Sequence, residues 1–180
     1  MQRTIREIAT TAWLRLCEVT YTNRQGEEKR WSFASRPGDG RAVAIIAETD
    51  EPAPRIVLVQ EFRPAIGGQV LSFPAGLVDE GESLEVTALR ELREETGWQG
   101  ELLSVGPACY TSPGLTDESL HFAHVRLHTE GATAHEPEED IEVVLWPKAE
   151  LRTRLQAAHA AGIHLDLKLW AWAEGLGEKQ

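Results

Sequence analysis

Apolar residues are spaced in three distinct ways along this chain, and each spacing predicts a different element. From Ala12 to Thr22 and from Glu27 to Phe33, two strand-like stretches flank a turn at Asn23-Arg24-Gln25-Gly26, which reads as an antiparallel β-ribbon. Continuous apolar runs at Ala42 to Ala47 and Ile56 to Val59 are short enough to be buried strands. Further strands are expected at Val70 to Phe73, Leu102 to Ala108, Leu120 to Leu127 and Ile141 to Trp146. Between them, Leu84, Ala88, Leu89 and Leu92 fall at helical spacing. Ser83 is placed to cap that helix and Gly97 to end it in the left-handed conformation, so it should run to about Thr96 with one side on a core and the other in solvent. Two more helices are expected at Lys148 to Ala161 and Leu165 to Leu176. The Arg36-Pro37-Gly38-Asp39-Gly40 stretch breaks the pattern, dividing a ribbon at residues 1–40 from a larger unit at 41–180. Mixed strands flanked by helices predict an α/β sandwich.

Composition narrows the class. With 180 residues, 42% of them hydrophobic, the chain can bury one substantial core. A net charge of -11 without a Lys/Arg cluster argues against a nucleic-acid partner. No stretch approaches the ~18 apolar residues of a membrane span, and the N-terminus has no apolar leader segment, so a cytoplasmic protein is the expectation. Cys17 and Cys109 lie in expected strands and read as small core residues in a reducing compartment. His121 and His124, three apart in one strand, should point to opposite faces and form no metal pair.

The chemistry is concentrated in GLVDEGESLEVTALRELREETGW, residues 76–98. Glu91, Glu94 and Glu95 share one helical face, where each like-charged pair costs roughly 0.2–0.5 kcal/mol. Arg90 can pair with Glu94 four residues on, which leaves Glu91 and Glu95 available. Hard oxygen donors of this kind suit Mg²⁺, with Mn²⁺ possible, held by one or two carboxylates together with substrate phosphates.

Gly76, Glu82, Arg90, Glu91, Leu92, Glu94, Glu95, Gly97 and Trp98 fill the fixed positions of the signature of the Nudix hydrolases, and the chain resembles that family closely. Trp98 departs mildly, since a smaller aliphatic residue is usual there. The resemblance implies an α/β/α sandwich in which a loop-helix-loop holds divalent metal against a diphosphate. It also implies Glu91, Glu95, Glu94 and the Ala75 carbonyl as metal ligands, Arg90 as the residue that orients the glutamates, and Glu82 as a brace for the loop. Pro113, fifteen residues beyond Trp98, resembles the proline that marks the ADP-ribose and ADP-sugar pyrophosphatases.

Within that subgroup the resemblance extends to the ribbon, implying a homodimer in which Trp13 of one subunit and Trp31 of the other clamp adenine. Stacking on indoles contributes on the order of 1–3 kcal/mol per face. Arg36 and Arg63 match arginines that contact substrate, and their planar forks suit a diphosphate. In the long segment from His128 to Asp140, Glu139 is the match for a glutamate that positions or deprotonates the attacking water, with Glu138 and Glu142 as rivals. The expected activity is Mg²⁺-dependent hydrolysis of ADP-ribose or a related ADP-sugar to AMP and a sugar phosphate. The alternatives are another nucleoside diphosphate derivative, such as GDP-mannose or an oxidised nucleotide, and a non-catalytic ADP-ribose sensor.

Overall fold

Two adjacent apolar runs build the centre of the molecule, because their alternate residues serve opposite faces of one sheet. The computed structural model describes residues 3–36, 38–134 and 140–176. Its first three strands, β1 (Arg3–Thr10), β2 (Arg15–Thr22) and β3 (Glu28–Ser35), form a separate antiparallel sheet in the order β1-β2-β3. The larger sheet takes β4 (Arg41–Thr49), β5 (Arg55–Arg63), β6 (Gly68–Ser72), β7 (Ala75–Leu77), β8 (Trp98–Val105), β9 (Cys109–Tyr110), β10 (Ser119–Glu130), β11 (Ile141–Pro147) and β12 (His164–Leu165). Its main path runs β12-β6-β5-β4-β10-β8, with β7 on β4, β9 on β10 and β11 on β5. The sheet is mixed: β4 is parallel to β10 and antiparallel to β5 and β7.

Along β4 the two cores separate residue by residue. Ala42, Ala44 and Ile46 join Leu58, Leu71 and Phe73 beneath α2 (Leu151–Ala160) and α3 (Leu167–Leu176). Val43, Ile45 and Ala47 face the other way, onto Ala88 and Leu92 of α1 (Leu84–Thr96) and onto Trp98. The result is the α/β/α sandwich that the sequence implied. Trp98, the bulky departure at the end of the motif, is buried in the α1-side core, where its ring adds apolar volume.

Several expectations need correction. The N-terminal element has three strands rather than a two-stranded ribbon, and Thr11–Leu14 is a turn closed by Thr11 N–H donating to the Leu14 carbonyl at 2.8 Å. Phe73 to Gly76 is not only a turn, since Ala75, Gly76 and Leu77 pair with Ala44, Val43 and Ala42 as β7. Leu89 lies exposed, and Thr87 and Thr96 take buried places on α1. Cys17 is buried as expected, but Cys109 is exposed on β9.

The N-terminal sheet docks through the end of β3. Ala34 bridges to Thr116, its N–H donating to the Leu115 carbonyl at 2.8 Å. Ser35 Oγ donates to Asp117 at 3.1 Å, and Trp31 Nε1 donates to the Gly114 carbonyl at 2.9 Å. Among the described residues no helix is long and apolar enough to cross a membrane.

Candidate active site

Helix α1 begins and ends where its caps dictate. Ser83 accepts a hydrogen bond from the Val86 N–H at 3.3 Å, and Gly97 closes the other end at φ 73°, its N–H donating to the Arg93 carbonyl. Ala88 and Leu92 anchor one side in the core. That anchoring turns the acidic face toward β7 rather than toward open solvent. Glu95 is only 7% exposed, and its Oε2 accepts from the Ala75 N–H at 3.1 Å. Glu91 lies against Gly76 so closely that a Cβ there would sit 1.9 Å from its Oε1. Gly76 is therefore required for room, not for backbone conformation.

Arg90 joins more carboxylates than its spacing suggested. Its Nη1 donates to Glu91 Oε1 at 2.9 Å as well as to Glu94 Oε2 at 3.1 Å, so Glu91 is not left aside as the sequence had implied. Its Nε and Nη2 reach Glu82, the latter at 3.0 Å. Glu82 also accepts from Thr87 Oγ1 at 2.9 Å, which fixes the loop before the helix to the helix itself. Burial pulls the Arg90 guanidinium pKa down, but the Glu82 bonds, the Glu91 charge and the Glu94 bond outweigh it and the net shift is upward. Glu82 is in turn held below the ordinary carboxylate range, first by Arg90 and then by Thr87. Arg90 is thus set among Glu82, Glu91 and Glu94, and Arg93 adds a looser contact to Glu94 at 3.6 Å, so with Glu95 beside them four carboxylates share two guanidiniums and the group stays negative.

Among the described residues, no three His, Cys, Asp or Glu side chains are gathered into a ready metal cage. The donors present nevertheless fit Mg²⁺ or Mn²⁺. They are carboxylate oxygens on a rigid helix, each group with several lone pairs, and Mg²⁺ usually completes its shell with water and substrate phosphate.

A second group forms where the N-terminal sheet meets residues 110–117. A cleft of about 480 Å³ is lined by Ile5, Val19, Trp31, Tyr110, Pro113 and Asp117, among others. Its volume falls in the range of small-molecule sites. Trp31 and Pro113, far apart in sequence, thus share one wall. Trp13 does not line it: that residue lies in the turn beyond the Arg15–Ser35 pair, whereas Trp31 stands opposite Val19. Arg15 and Val19 are four positions apart on β2, about 13 Å, and Trp13 lies beyond the Arg15 end.

Arg36 follows β3 and ion-pairs with Glu118, Nε to Oε2 at 2.8 Å. Arg63 ends β5, half exposed, and pairs with Glu61 at 2.8 Å. Glu139, with Glu138, lies outside the described residues. The segment's flanks are placed: Ala134 N–H donates to the Glu94 carbonyl at 2.8 Å, and Ile141 pairs with Glu61. The rival Glu142 sits opposite Gln60 on β11. His121 binds the Gly106 carbonyl through Nδ1 at 3.0 Å, a structural contact. Sequence reasoning missed Tyr110, Asp117 and Glu118 as site neighbours, although all three flank Pro113.

Fold and site together define an α/β/α protein with an acidic loop-helix-loop and, where its N-terminal sheet meets residues 110–117, a separate cleft of small-molecule size. The family model of the NUDIX domain matches residues 38–165, and the chain belongs to the Nudix hydrolase family. It is 34% identical to the ADP-sugar pyrophosphatase of Mus musculus over 184 residues, an alignment covering 96% of this chain and 84% of that protein. Over a shorter span of 96 residues it is 42% identical to the ADP-ribose pyrophosphatase of Bacillus subtilis, covering 53% of this chain and 49% of that one. A crystal structure of an ADP compounds hydrolase superimposes with a TM-score of 0.70 at 24% identity, covering 85% of this chain and 80% of the other, which speaks for the fold.

Proposed function

We propose that this protein hydrolyses the diphosphate of ADP-ribose, or of a related ADP-sugar, to AMP and a sugar phosphate. The observation that carries this reading is the cleft that Trp31 shares with Pro113, because it offers an indole face to a base in a chain that also carries the acidic helix of the family. The names of the mouse and Bacillus subtilis relatives support the same substrate class.

In this reading Glu91, Glu94 and Glu95, with the Ala75 carbonyl, hold Mg²⁺ or Mn²⁺, which when bound neutralises diphosphate charge and lowers the pKa of a coordinated water. Arg90 and Glu82 keep the glutamates in place. Arg36 and Arg63 contact the diphosphate, and Trp31 stacks on the base. Glu139 takes the proton of the attacking water. The chain acts as a cytoplasmic homodimer through its N-terminal sheet, with Trp13 from a second copy completing the base clamp. The exposure of Ile5, Ile8 and Leu16 on that sheet, and of Trp13 in the turn between β1 and β2, supports the pairing.

A panel of ADP-ribose, GDP-mannose and an oxidised nucleotide, assayed with Mg²⁺, tests the proposal. Preferential AMP release from ADP-ribose is expected. Faster hydrolysis of another member would overturn the substrate assignment, and binding of ADP-ribose with no hydrolysis would make the protein a sensor.

A further inference from the structure

Arg36 is held on two sides and open on a third. Its carbonyl accepts from Arg15 Nη2 at 2.7 Å, which pins its backbone to the root of β2. Its Nε donates to Glu118 Oε2 at 2.8 Å. Glu118 is itself well fixed: its side chain is four-fifths buried, and its N–H donates to Thr116 Oγ1 at 3.1 Å. The neighbouring Asp117 accepts from Ser35 Oγ at 3.1 Å and its N–H donates to the Ala34 carbonyl at 3.4 Å, so the 116–118 turn and the end of β3 are tied together twice beside this ion pair.

The choice of Nε matters. A guanidinium carries five N–H donors in a rigid fork, and the Glu118 bond uses the one on its inner edge. That leaves the Nη1 and Nη2 donors for an anion, and fixes the plane in which they lie. An unsupported arginine would have to surrender several rotatable bonds on binding, and an arginine already anchored does not.

We infer that Glu118 is a positioning residue, one that orients the Arg36 fork for a phosphate-bearing substrate without touching the substrate itself. The inference rests on the proposed contact between Arg36 and the diphosphate. Segment 113–118 then serves both ends of the ligand: Pro113 lines the base cleft, Gly114 holds Trp31, and Glu118 holds Arg36.

Steady-state kinetics on Arg36→Ala, Glu118→Ala, Glu118→Gln and the double alanine variant, with the panel nucleotide hydrolysed fastest, tests it, each protein being melted to confirm folding. Losing one charge-assisted hydrogen bond predicts that Glu118→Ala raises KM about tenfold, with kcat within about twofold. Glu118→Gln, whose amide oxygen still accepts from Nε, should recover most of the loss. In the Arg36→Ala background, removing Glu118 should add nothing. If Glu118→Ala raises KM equally with and without Arg36, or leaves it unchanged while Arg36→Ala raises it, the inference fails and the parent reading stands. If Arg36→Ala leaves KM unchanged, or no panel member is hydrolysed, the parent reading fails and the inference with it.

Discussion

Replacing Gly76 by alanine tests how the acidic helix meets β7, and its effect follows from distances. The new Cβ would lie 1.9 Å from Glu91 Oε1 and 2.0 Å from its Cδ, where real contacts essentially never fall under 3.0 Å. Strand β7 cannot withdraw, because Gly76 pairs with Val43, a fully buried residue of β4. The Glu91 carboxylate must therefore retreat by about 1 Å or more. Doing so breaks its 2.9 Å bond from Arg90 Nη1, a partly buried charge-assisted bond worth about 1–2 kcal/mol. For a chain of this size that lowers Tm by about 2–8 °C. Turnover should suffer more, since a misplacement of about 1 Å in a reacting constellation can cost about 100-fold. Thermal melts and kcat on ADP-ribose measure both effects. Gly175→Ala in α3, where an added Cβ meets nothing within 4 Å, is the control and should leave kcat unchanged. A Gly76→Ala enzyme with normal kcat and normal Tm would refute the placement of Glu91 against β7.

Two further outcomes are expected. Because Arg90 and Thr87 hold Glu82 below its ordinary pKa of 4.5, its contribution to stability is present above that value and is lost as pH falls through the lower folded value. Denaturation curves between pH 2 and pH 6 should accordingly slope less for Glu82→Gln than for wild type, and identical slopes would contradict the Arg90–Glu82 brace. Trp31→Ala should raise KM roughly 5- to 150-fold with little change in kcat, since stacking contributes about 1–3 kcal/mol per base; an unchanged KM would remove Trp31 from the substrate cleft.

What the sequence made legible was local. Helix α1 announced itself through Ser83, Gly97 and an apolar stripe, all of which act within a turn or two of the residues they organise. Strands β4 and β5 were visible because a strand covered on both faces is apolar at every position. Strand β1 was not visible: Ile5 and Ile8 are three apart, which fits no strand face, and the strand is exposed throughout. Nor was β7, whose three residues are a strand only because β4 lies beside them. The same distinction applies to the site. Helical periodicity placed Glu91, Glu94 and Glu95 together, but what that face meets depends on where the strand before the helix lies, so the burial of Glu95 and the contact of Glu91 with Gly76 came only from the fold. Glu118 became interesting for an equally non-local reason, since its partner Arg36 lies on the other side of the docking seam.

The central claim is that the carboxylates of α1 form a metal-dependent centre for diphosphate cleavage, and Glu95→Gln tests it most directly. The amide oxygen can still accept from the Ala75 N–H, so the fold should persist with Tm within a few degrees of wild type. Groups that merely support a metal ligand are worth about 10–100-fold, so loss of a ligand charge should cost at least about 100-fold. AMP release from ADP-ribose is measured with Mg²⁺ and with EDTA. The account predicts Mg²⁺-dependent turnover in wild type and near loss of it in Glu95→Gln. A folded Glu95→Gln protein with wild-type turnover, or turnover indifferent to EDTA, would contradict it.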